Sequence, residues 1–294
     1  MLPFWISIAL LSLAQGALVA LPGALPLRGR CVGALPARLR GRRWALIPPL
    51  SVIAFVFGAR AAEHASAQGL TYLALAMVPV LAALALGWLL WDNHRTSSIS
   101  HRGLRALLVL PLFGLAWADR GGLAGEGAAL VLSVLSCAAL GVLLATVTPP
   151  RWLAAGIVAM ALADSALVIS DLLQRPNNAL NAARPIAGLP QLQSAVLGSA
   201  VMGYGDLFIA AALGGLLAAT ATRSLQLRAA ALTATLALAF DLLFFLLDEL
   251  PATVPAALAL LALVLSRRLR FSAARATGEP PRSQTAQLAR PAAR

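Results

Sequence analysis

Four aspartates lie inside apolar stretches of the chain, where a carboxyl group is costly. They are Asp164, Asp171, Asp206 and Asp241, and none has an Arg within its own stretch to pair with. Acids at membrane depth are rare and usually functional. Two carboxyls held close together share one proton, because both cannot ionise at once. Such a pair can activate water: one carboxylate takes a proton from the water while the protonated partner polarises a carbonyl group.

The elements that must position these acids are long apolar blocks rich in Ala and Leu, a composition that favours helices over strands. The alternation with period two that membrane β-barrels require is not visible. We count nine such segments, at about 3–22, 44–62, 70–91, 104–119, 127–147, 152–173, 195–220, 228–247 and 252–266. Most of these segments are long enough to cross a bilayer.

The composition supports a membrane protein. Hydrophobic residues make up 60% of the chain and charged residues only 12%, whereas soluble domains carry about 25% charged residues. A soluble fold of this length could not bury that much apolar surface. We therefore predict an all-α, polytopic bundle of transmembrane helices, located in a bacterial cell membrane.

The basic residues predict the orientation of the bundle. If nine segments alternate across the membrane, every Arg falls on one side except Arg60, Arg120, Arg175 and Arg184. Basic loops stay in the cytoplasm, so we expect the N-terminus outside and the C-terminus inside. Residues 1–266 then form the bundle, with spans one to five in 1–150 and the candidate catalytic spans six to nine in 151–266. The basic segment 267–294 is expected to be a disordered cytoplasmic tail.

Asp164 and Asp206 stand out as the pair because their predicted depths match. Segments six and seven are consecutive and antiparallel, and each aspartate lies roughly 2 Å to the outer side of its segment centre at 1.5 Å per residue. Asp171 and Asp241 lie nearer the outer boundary of their segments, where water reaches them at lower cost. We expect these two to be supporting residues at most.

The residues before Asp206 add a second signal. The run Gly203-Tyr204-Gly205-Asp206 places two glycines beside a buried acid, where they allow another backbone to approach closely and loosen the helix. A peptidase that acts on transmembrane helices needs such a place, because its substrate must unwind to expose an amide bond.

These features resemble the presenilin and signal peptide peptidase family of intramembrane aspartyl proteases. That family has nine spans, a catalytic Asp in each of spans six and seven, the second within GxGD, and a Pro-Ala-Leu motif that opens span nine. The resemblance implies that Asp164 and Asp206 are catalytic. It also implies supporting or substrate-binding roles for Gly203, Tyr204, Gly205, Pro255, Ala256 and Leu258. The chain departs from the family in having Ala163-Asp164 in place of Tyr-Asp, and Pro255-Ala256-Ala257-Leu258 carries one residue more than Pro-Ala-Leu.

A second resemblance is to the type IV prepilin peptidases. Asp171 is followed by Arg175-Pro176-Asn177, and later by the GxGD sequence, although Phe208 stands where that family has Lys. In that family two spans separate the catalytic acids. Only 35 residues separate Asp171 from Asp206, too few for two spans of about 20 residues each. We rank this assignment second.

Other function classes remain open. A proton-coupled transporter, or a non-catalytic membrane protein with hydrogen-bonded acids, would also hold carboxyls at depth. The net charge is +12, and the basic residues behind it set the orientation of the bundle and contact anionic lipid, so we expect no nucleic acid partner. The chain has no Lys, which excludes Schiff-base and Walker-type lysine chemistry. We expect no metal and no cofactor, with membrane lipid and transmembrane-helix substrates as partners; the sequence does not predict an oligomeric state.

Overall fold

The computed structural model describes residues 2–24, 41–61, 63–89, 106–247 and 250–276. Two Arg-rich loops, at 25–40 and 90–105, and the end of the tail, 277–294, lie outside the described residues, as do Cys31, His94 and His101. The described chain is mainly helical. Its elements are α1 (Phe4–Ala20), α2 (Ile47–Ala61), α3 (Glu63–Leu89), α4 (Val109–Ala118), α5 (Leu123–Val147), α6 (Pro150–Ile169), α7 (Gln174–Ala182), β1 (Ser194–Leu197), β2 (Ala200–Gly203), α8 (Tyr204–Thr220), α9 (Arg223–Asp241) and α10 (Val254–Ala276).

Five helical stretches are long and apolar enough to cross a membrane. They are Phe4–Ala24, Ala65–Leu89, Leu123–Val147, Pro150–Ile169 and Arg223–Phe245. Val109–Ala118, Tyr204–Thr220 and Val254–Ser266 are apolar but shorter. Large apolar side chains face outward, including Ile169 at 85% and Leu246 at 81% exposure, as expected where lipid replaces water. The prediction of a helical membrane bundle is confirmed at this level, and the nine spans and their orientation stay predictions.

The predicted seventh segment, 195–220, is not one helix. Its first part forms the antiparallel hairpin β1–β2, with Leu197 opposite Ala200 and Ser194 opposite Gly203. The turn is Gly198-Ser199, and Gly198 has φ +60°, the left-handed backbone that the tight two-residue turns of hairpins require. Only Tyr204–Thr220 is helical. The start of α8 therefore lies inside the predicted span.

The end of the bundle also differs from the prediction. We expected helix to stop near Ser266 and disorder to follow, but α10 continues to Ala276. An additional short helix, α7, follows α6 in the region that we expected to be a loop. It is the most amphipathic segment described, with Pro176 buried and Asn178 and Asn181 exposed.

The centre of the bundle is α8, which is buried along nearly its whole length. Small residues let α8 approach α5 closely: a Cβ on Gly141 would lie 2.2 Å from the Ala211 carbonyl oxygen, and one on Gly215 would lie 2.3 Å from that of Gly141. Helices α1 and α9 pack antiparallel in the same manner, with Gly16 against Ala234. Close backbone approach through small residues is the usual packing mode of membrane helices.

Candidate active site

A cavity of about 700 Å³ opens where several helices end or begin. The last part of α6, the first turns of α8 and α10, the end of α9, the middle of α1 and strand β2 all contribute to its wall. Three of the four aspartates from the apolar segments, Asp164, Asp206 and Asp241, line it. The cavity is therefore the place where the chain brings its intramembrane acids together.

Asp164 lies near the end of α6 and is 8% exposed. Its Oδ2 accepts a hydrogen bond of 2.7 Å from the Thr253 hydroxyl. Thr253 immediately precedes α10 and is fully buried. The carboxyl is thus oriented by the start of a different helix, which fixes its position relative to the rest of the cavity.

Asp206 lies in the first turn of α8 and is partly buried. It is close enough to Asp164 for the two charges to repel each other. We expected the two acids to meet at mid-helix depth. The β1–β2 hairpin occupies the first part of the predicted seventh segment, so α8 begins only at Tyr204. Asp206 therefore lies in the first turn of α8 and reaches the same cavity as Asp164, which lies near the end of α6.

The two glycines of the GxGD run differ in what surrounds them. A Cβ on Gly203 would lie 2.9 Å from Asp206 Oδ2, so a side chain there would displace the carboxyl. A Cβ on Gly205 would have no atom within 4 Å, and Gly205 is exposed on the cavity wall. The observed position of the Asp206 carboxyl therefore depends on a glycine at 203, whereas Gly205 leaves the approach to that carboxyl open.

Tyr204 anchors the start of α8 to α5. Its hydroxyl is hydrogen bonded to the Ser136 hydroxyl, and its carbonyl accepts a contact of 3.9 Å from Cys137 Sγ. Both partners are fully buried. These contacts hold the first turn of α8, and with it Asp206, against the core.

The three residues expected from the start of segment nine are not brought together. Pro255 lines the cavity. Ala256 is buried in the core at 1% exposure, and Leu258 faces outward at 44% exposure. Pro255 also does not fray its helix, because it lies in the first turn of α10, where the missing N–H would have no partner in any case.

Asp171 and Asp241 have different surroundings, although we had grouped them. Asp171 follows the end of α6, is exposed and has φ 53°, and it is not part of the cavity wall that the structure describes. Asp241 is the last residue of α9 and does line the cavity. Its Oδ2 accepts a hydrogen bond of 2.6 Å from the Ser12 hydroxyl.

Polar residues of α1 also belong to the site, and sequence reasoning missed them. Ser12 and Gln15 line the cavity, and neither is among the candidate residues named from the sequence. Their spacing of three residues is the signal that could have found them, because it places both on one helix face. Gln193, Asn177 and Asn178 also reach the cavity. In the described part of the chain, no group of three or more His, Cys, Asp or Glu side chains could hold a metal ion.

Comparison of the chain with protein-family models, with curated proteins and with solved structures finds no match in any of the three. The functional argument therefore rests on the residues and the geometry of the cavity.

Proposed function

We propose that the protein is an intramembrane aspartyl protease of the GxGD type, similar to the presenilins and signal peptide peptidases, in a bacterial cell membrane. The observation that carries the proposal is the pair Asp164 and Asp206, which line one cavity inside an apolar bundle close enough to repel each other. The Thr253 hydroxyl orients the Asp164 carboxyl, and Gly203 leaves room for the carboxyl of Asp206. Two carboxyls beside a cavity suit the acid–base chemistry of amide hydrolysis.

The chemistry needs one water and no cofactor. The ionised carboxyl of the pair takes a proton from a water molecule, whose oxygen attacks the carbonyl carbon of the substrate. The protonated carboxyl gives its proton to the carbonyl oxygen, which forms a gem-diol. When the carbon–nitrogen bond breaks, the carboxyl that took the water proton gives it to the amide nitrogen, which leaves as an amine. The other carboxylate takes the proton of one gem-diol hydroxyl, whose oxygen becomes the carbonyl oxygen of the new carboxyl group, and the pair returns to its starting state.

The wall beside Asp206 supports an extended substrate. Among the described residues, strand β2 pairs only with β1, so no described strand lies at its other edge, and Val201, Met202 and Gly203 line the cavity. An unwound peptide can add to such an edge through backbone hydrogen bonds. Gly205, which precedes Asp206 in the chain, leaves open space on the same cavity wall. Strand β2 is therefore the candidate for strand addition.

The test is cleavage of a synthetic transmembrane peptide by the purified full-length protein in detergent. The peptide carries a helix-loosening Gly pair at its centre, and mass spectrometry identifies the new termini. We expect cleavage within the apolar segment by the wild type, and a loss of at least about a thousandfold in Asp164→Asn and in Asp206→Asn. Asp171→Asn is the matched control. Cleavage that persists unchanged in Asp206→Asn would contradict the proposal.

One observation favours the prepilin-peptidase assignment as a second candidate. Asn177 and Asn178, from the Pro-Asn sequence that carries that resemblance, reach the cavity. Against it, Asp171 lies on the outside with an exposed side chain. The same assay separates the two, because that assignment requires Asp171 for activity and the proposed one does not.

A further inference from the structure

A third carboxyl in the cavity has no role in the proposed chemistry. Asp241 comes from α9, a helix that supplies neither Asp164 nor Asp206, and it is partly exposed to the cavity. Ser12 donates to its Oδ2 at 2.6 Å, and no other hydrogen bond to Asp241 is found in the described residues. A carboxylate inside a membrane bundle normally pairs with a cation or with several hydrogen-bond donors. Among the described residues Asp241 has neither, because its one side-chain partner is the Ser12 hydroxyl.

A second polar group beside it is also short of a donor. Gln15 lies one turn from Ser12 on the same face of α1 and is 1% exposed. Its Nε2 donates to the Ala252 carbonyl at 3.0 Å and to Met202 Sδ at 3.4 Å, and both of these residues belong to the cavity wall. The carbonyl partner fixes which end of the amide is nitrogen. The oxygen at the other end, Oε1, has no hydrogen-bond partner.

The Asp241 carboxylate and the Gln15 amide are both short of hydrogen-bond donors. The Asp241 carboxylate and Gln15 Oε1 are both acceptors, and both require a donor that the wall does not supply. No Arg or His side chain lines the cavity among the residues that the structure describes. A buried acceptor without a donor destabilises the fold, and an uncompensated carboxylate does so more strongly. A ligand that brings several N–H donors and a positive charge would satisfy both groups at once.

We propose that Asp241, Ser12 and Gln15 form a subsite that binds the basic side chain of a substrate, a Lys or Arg within or at the edge of its transmembrane segment. The inference rests on the proposed function and names the class of substrate. The ammonium or guanidinium group donates to the Asp241 carboxylate; Gln15 Oε1 is enclosed and unpartnered in this structure, and it becomes a second acceptor when its side chain turns toward the cavity. Ser12 holds the carboxylate in position for this contact.

The subsite determines selectivity and takes no part in bond breaking. A basic side chain anchored there places the substrate backbone at one register along β2, and so selects which amide bond reaches Asp164 and Asp206. Charge-assisted hydrogen bonds are about twice as strong as neutral ones. Removal of the Asp241 charge should therefore weaken basic substrates and leave neutral ones nearly unchanged.

The test uses two peptides that differ in one residue. Both are the transmembrane peptide described above; one carries a single Lys, scanned residue by residue along the helix, and the other carries Gln at the same position. We expect the wild-type protein to cleave the best Lys peptide at least about tenfold faster in kcat/KM than its Gln partner, equivalent to roughly 1.4 kcal/mol. In Asp241→Asn this ratio should fall to about one, while the rate on the Gln peptide stays within a factor of about three. The exposed acid substituted in Asp171→Asn is the control, and it should keep the preference.

A binding measurement keeps the inference testable if no peptide is cleaved. Fluorescently labelled Lys and Gln peptides are titrated into Asp206→Asn, with and without Asp241→Asn, in detergent. Preference for Lys that depends on Asp241, without cleavage by the wild type, would support the subsite and contradict the protease. Cleavage of both peptides at equal rates at every position, or a Lys preference that survives Asp241→Asn, would overturn the subsite and leave the protease standing.

Discussion

The antiparallel pair α1–α9 contains two buried glutamines with different surroundings: Gln226 lies where α9 begins, at the closed end, and Gln15 lies in the middle of α1, where the cavity begins (the cavity end). At the closed end, Gln226 is 2% exposed. Its Nε2 donates to the carbonyls of Val19 at 2.8 Å and Gly214 at 3.3 Å, and its Oε1 accepts from Arg223 at 3.2 Å. At the cavity end, Gln15 is as deeply buried, but its Oε1 has no partner.

The difference separates a polar group that holds the fold from one that serves a site. Both atoms of the Gln226 amide are satisfied by backbone or Arg223, so the group links the end of α1 to α8 and α9. A buried network in which every member is satisfied rigidifies its surroundings. Gln15 and Asp241 instead leave hydrogen-bond acceptors without donors at the cavity wall, and these acceptors do not stabilise the fold unless a ligand supplies a donor. The closed end should therefore control stability and the cavity end should control activity.

The acids give the largest expected effect and the strongest test of this division. Asp164→Asn and Asp206→Asn should each reduce peptide cleavage at least about a thousandfold, because an amide cannot exchange a proton with water. The thermal unfolding midpoint in detergent should stay the same or rise, since each change removes a carboxyl from a low-dielectric cavity. If either variant loses activity only in proportion to its folded fraction, the acid is part of the structure and the division fails.

Two glycines give the next effect, and they provide a matched pair. Gly141→Ala places a Cβ 2.2 Å from the Ala211 backbone oxygen, so α5 and α8 must separate, and we expect a loss of about 1–3 kcal/mol in unfolding free energy. Gly205→Ala meets no atom within 4 Å, so stability should not fall. Its methyl group enters the approach to Asp206, and cleavage should fall about tenfold. Denaturant unfolding and kcat/KM, measured on both variants, check the pair; destabilisation by Gly205→Ala would contradict the open geometry.

The glutamines themselves should show a smaller contrast in the same direction. Gln226→Leu removes the donor to two buried carbonyls and should cost about 1–3 kcal/mol. Gln15→Leu removes two hydrogen bonds, one to a carbonyl and a weak one to Met202 Sδ, together with an unpartnered oxygen, so the stability of the variant should stay within about 1 kcal/mol of wild type. Denaturant unfolding in detergent compares the two. Equal destabilisation would mean that both glutamines hold the structure, and would remove one support for the basic-residue subsite.

The sequence predicts the helical membrane bundle well because composition alone decides it: apolar blocks of about 20 residues have no soluble alternative. It does not predict the β1–β2 hairpin. Residues 195–203 continue the apolar character of α8, and a short apolar run does not distinguish strand from helix by periodicity. Gly198-Ser199 between two Val-containing runs was the available signal. Because the hairpin was missed, the argument from equal depth was wrong in its geometry, although it selected two acids that share a cavity.

The sequence pointed to the acids of the cavity and to Gly203, Tyr204, Gly205 and Pro255 beside them, but not to the polar partners of the acids, and the reason is physical. A lone carboxyl in an apolar block is visible in a sequence because its cost is high wherever it packs. A Thr or a Gln in an apolar segment does not by itself mark a site. The contacts of Thr253 with Asp164 and of Gln15 with Ala252 join parts of the bundle that lie far apart in the chain. Asp241 shows the same limit: its distance from the segment centre suggested a residue near water, whereas the end of α9 brings it into the cavity.

Substitution of Asp171 should have the smallest effect on activity and stability, and it distinguishes the two protease assignments most sharply. The residue is exposed, follows the end of α6 and does not line the cavity. Asp171→Asn keeps the size of the side chain, and Asn accepts the left-handed backbone at φ 53° as readily as Asp does. Stability should be unchanged, and kcat/KM should stay within about tenfold of wild type, or roughly 1.4 kcal/mol in the transition state. Complete loss of cleavage with normal unfolding would instead assign Asp171 to the catalytic pair, as the prepilin peptidases require, and α7 would then have to bring its asparagines and Asp171 toward Asp206 when substrate binds.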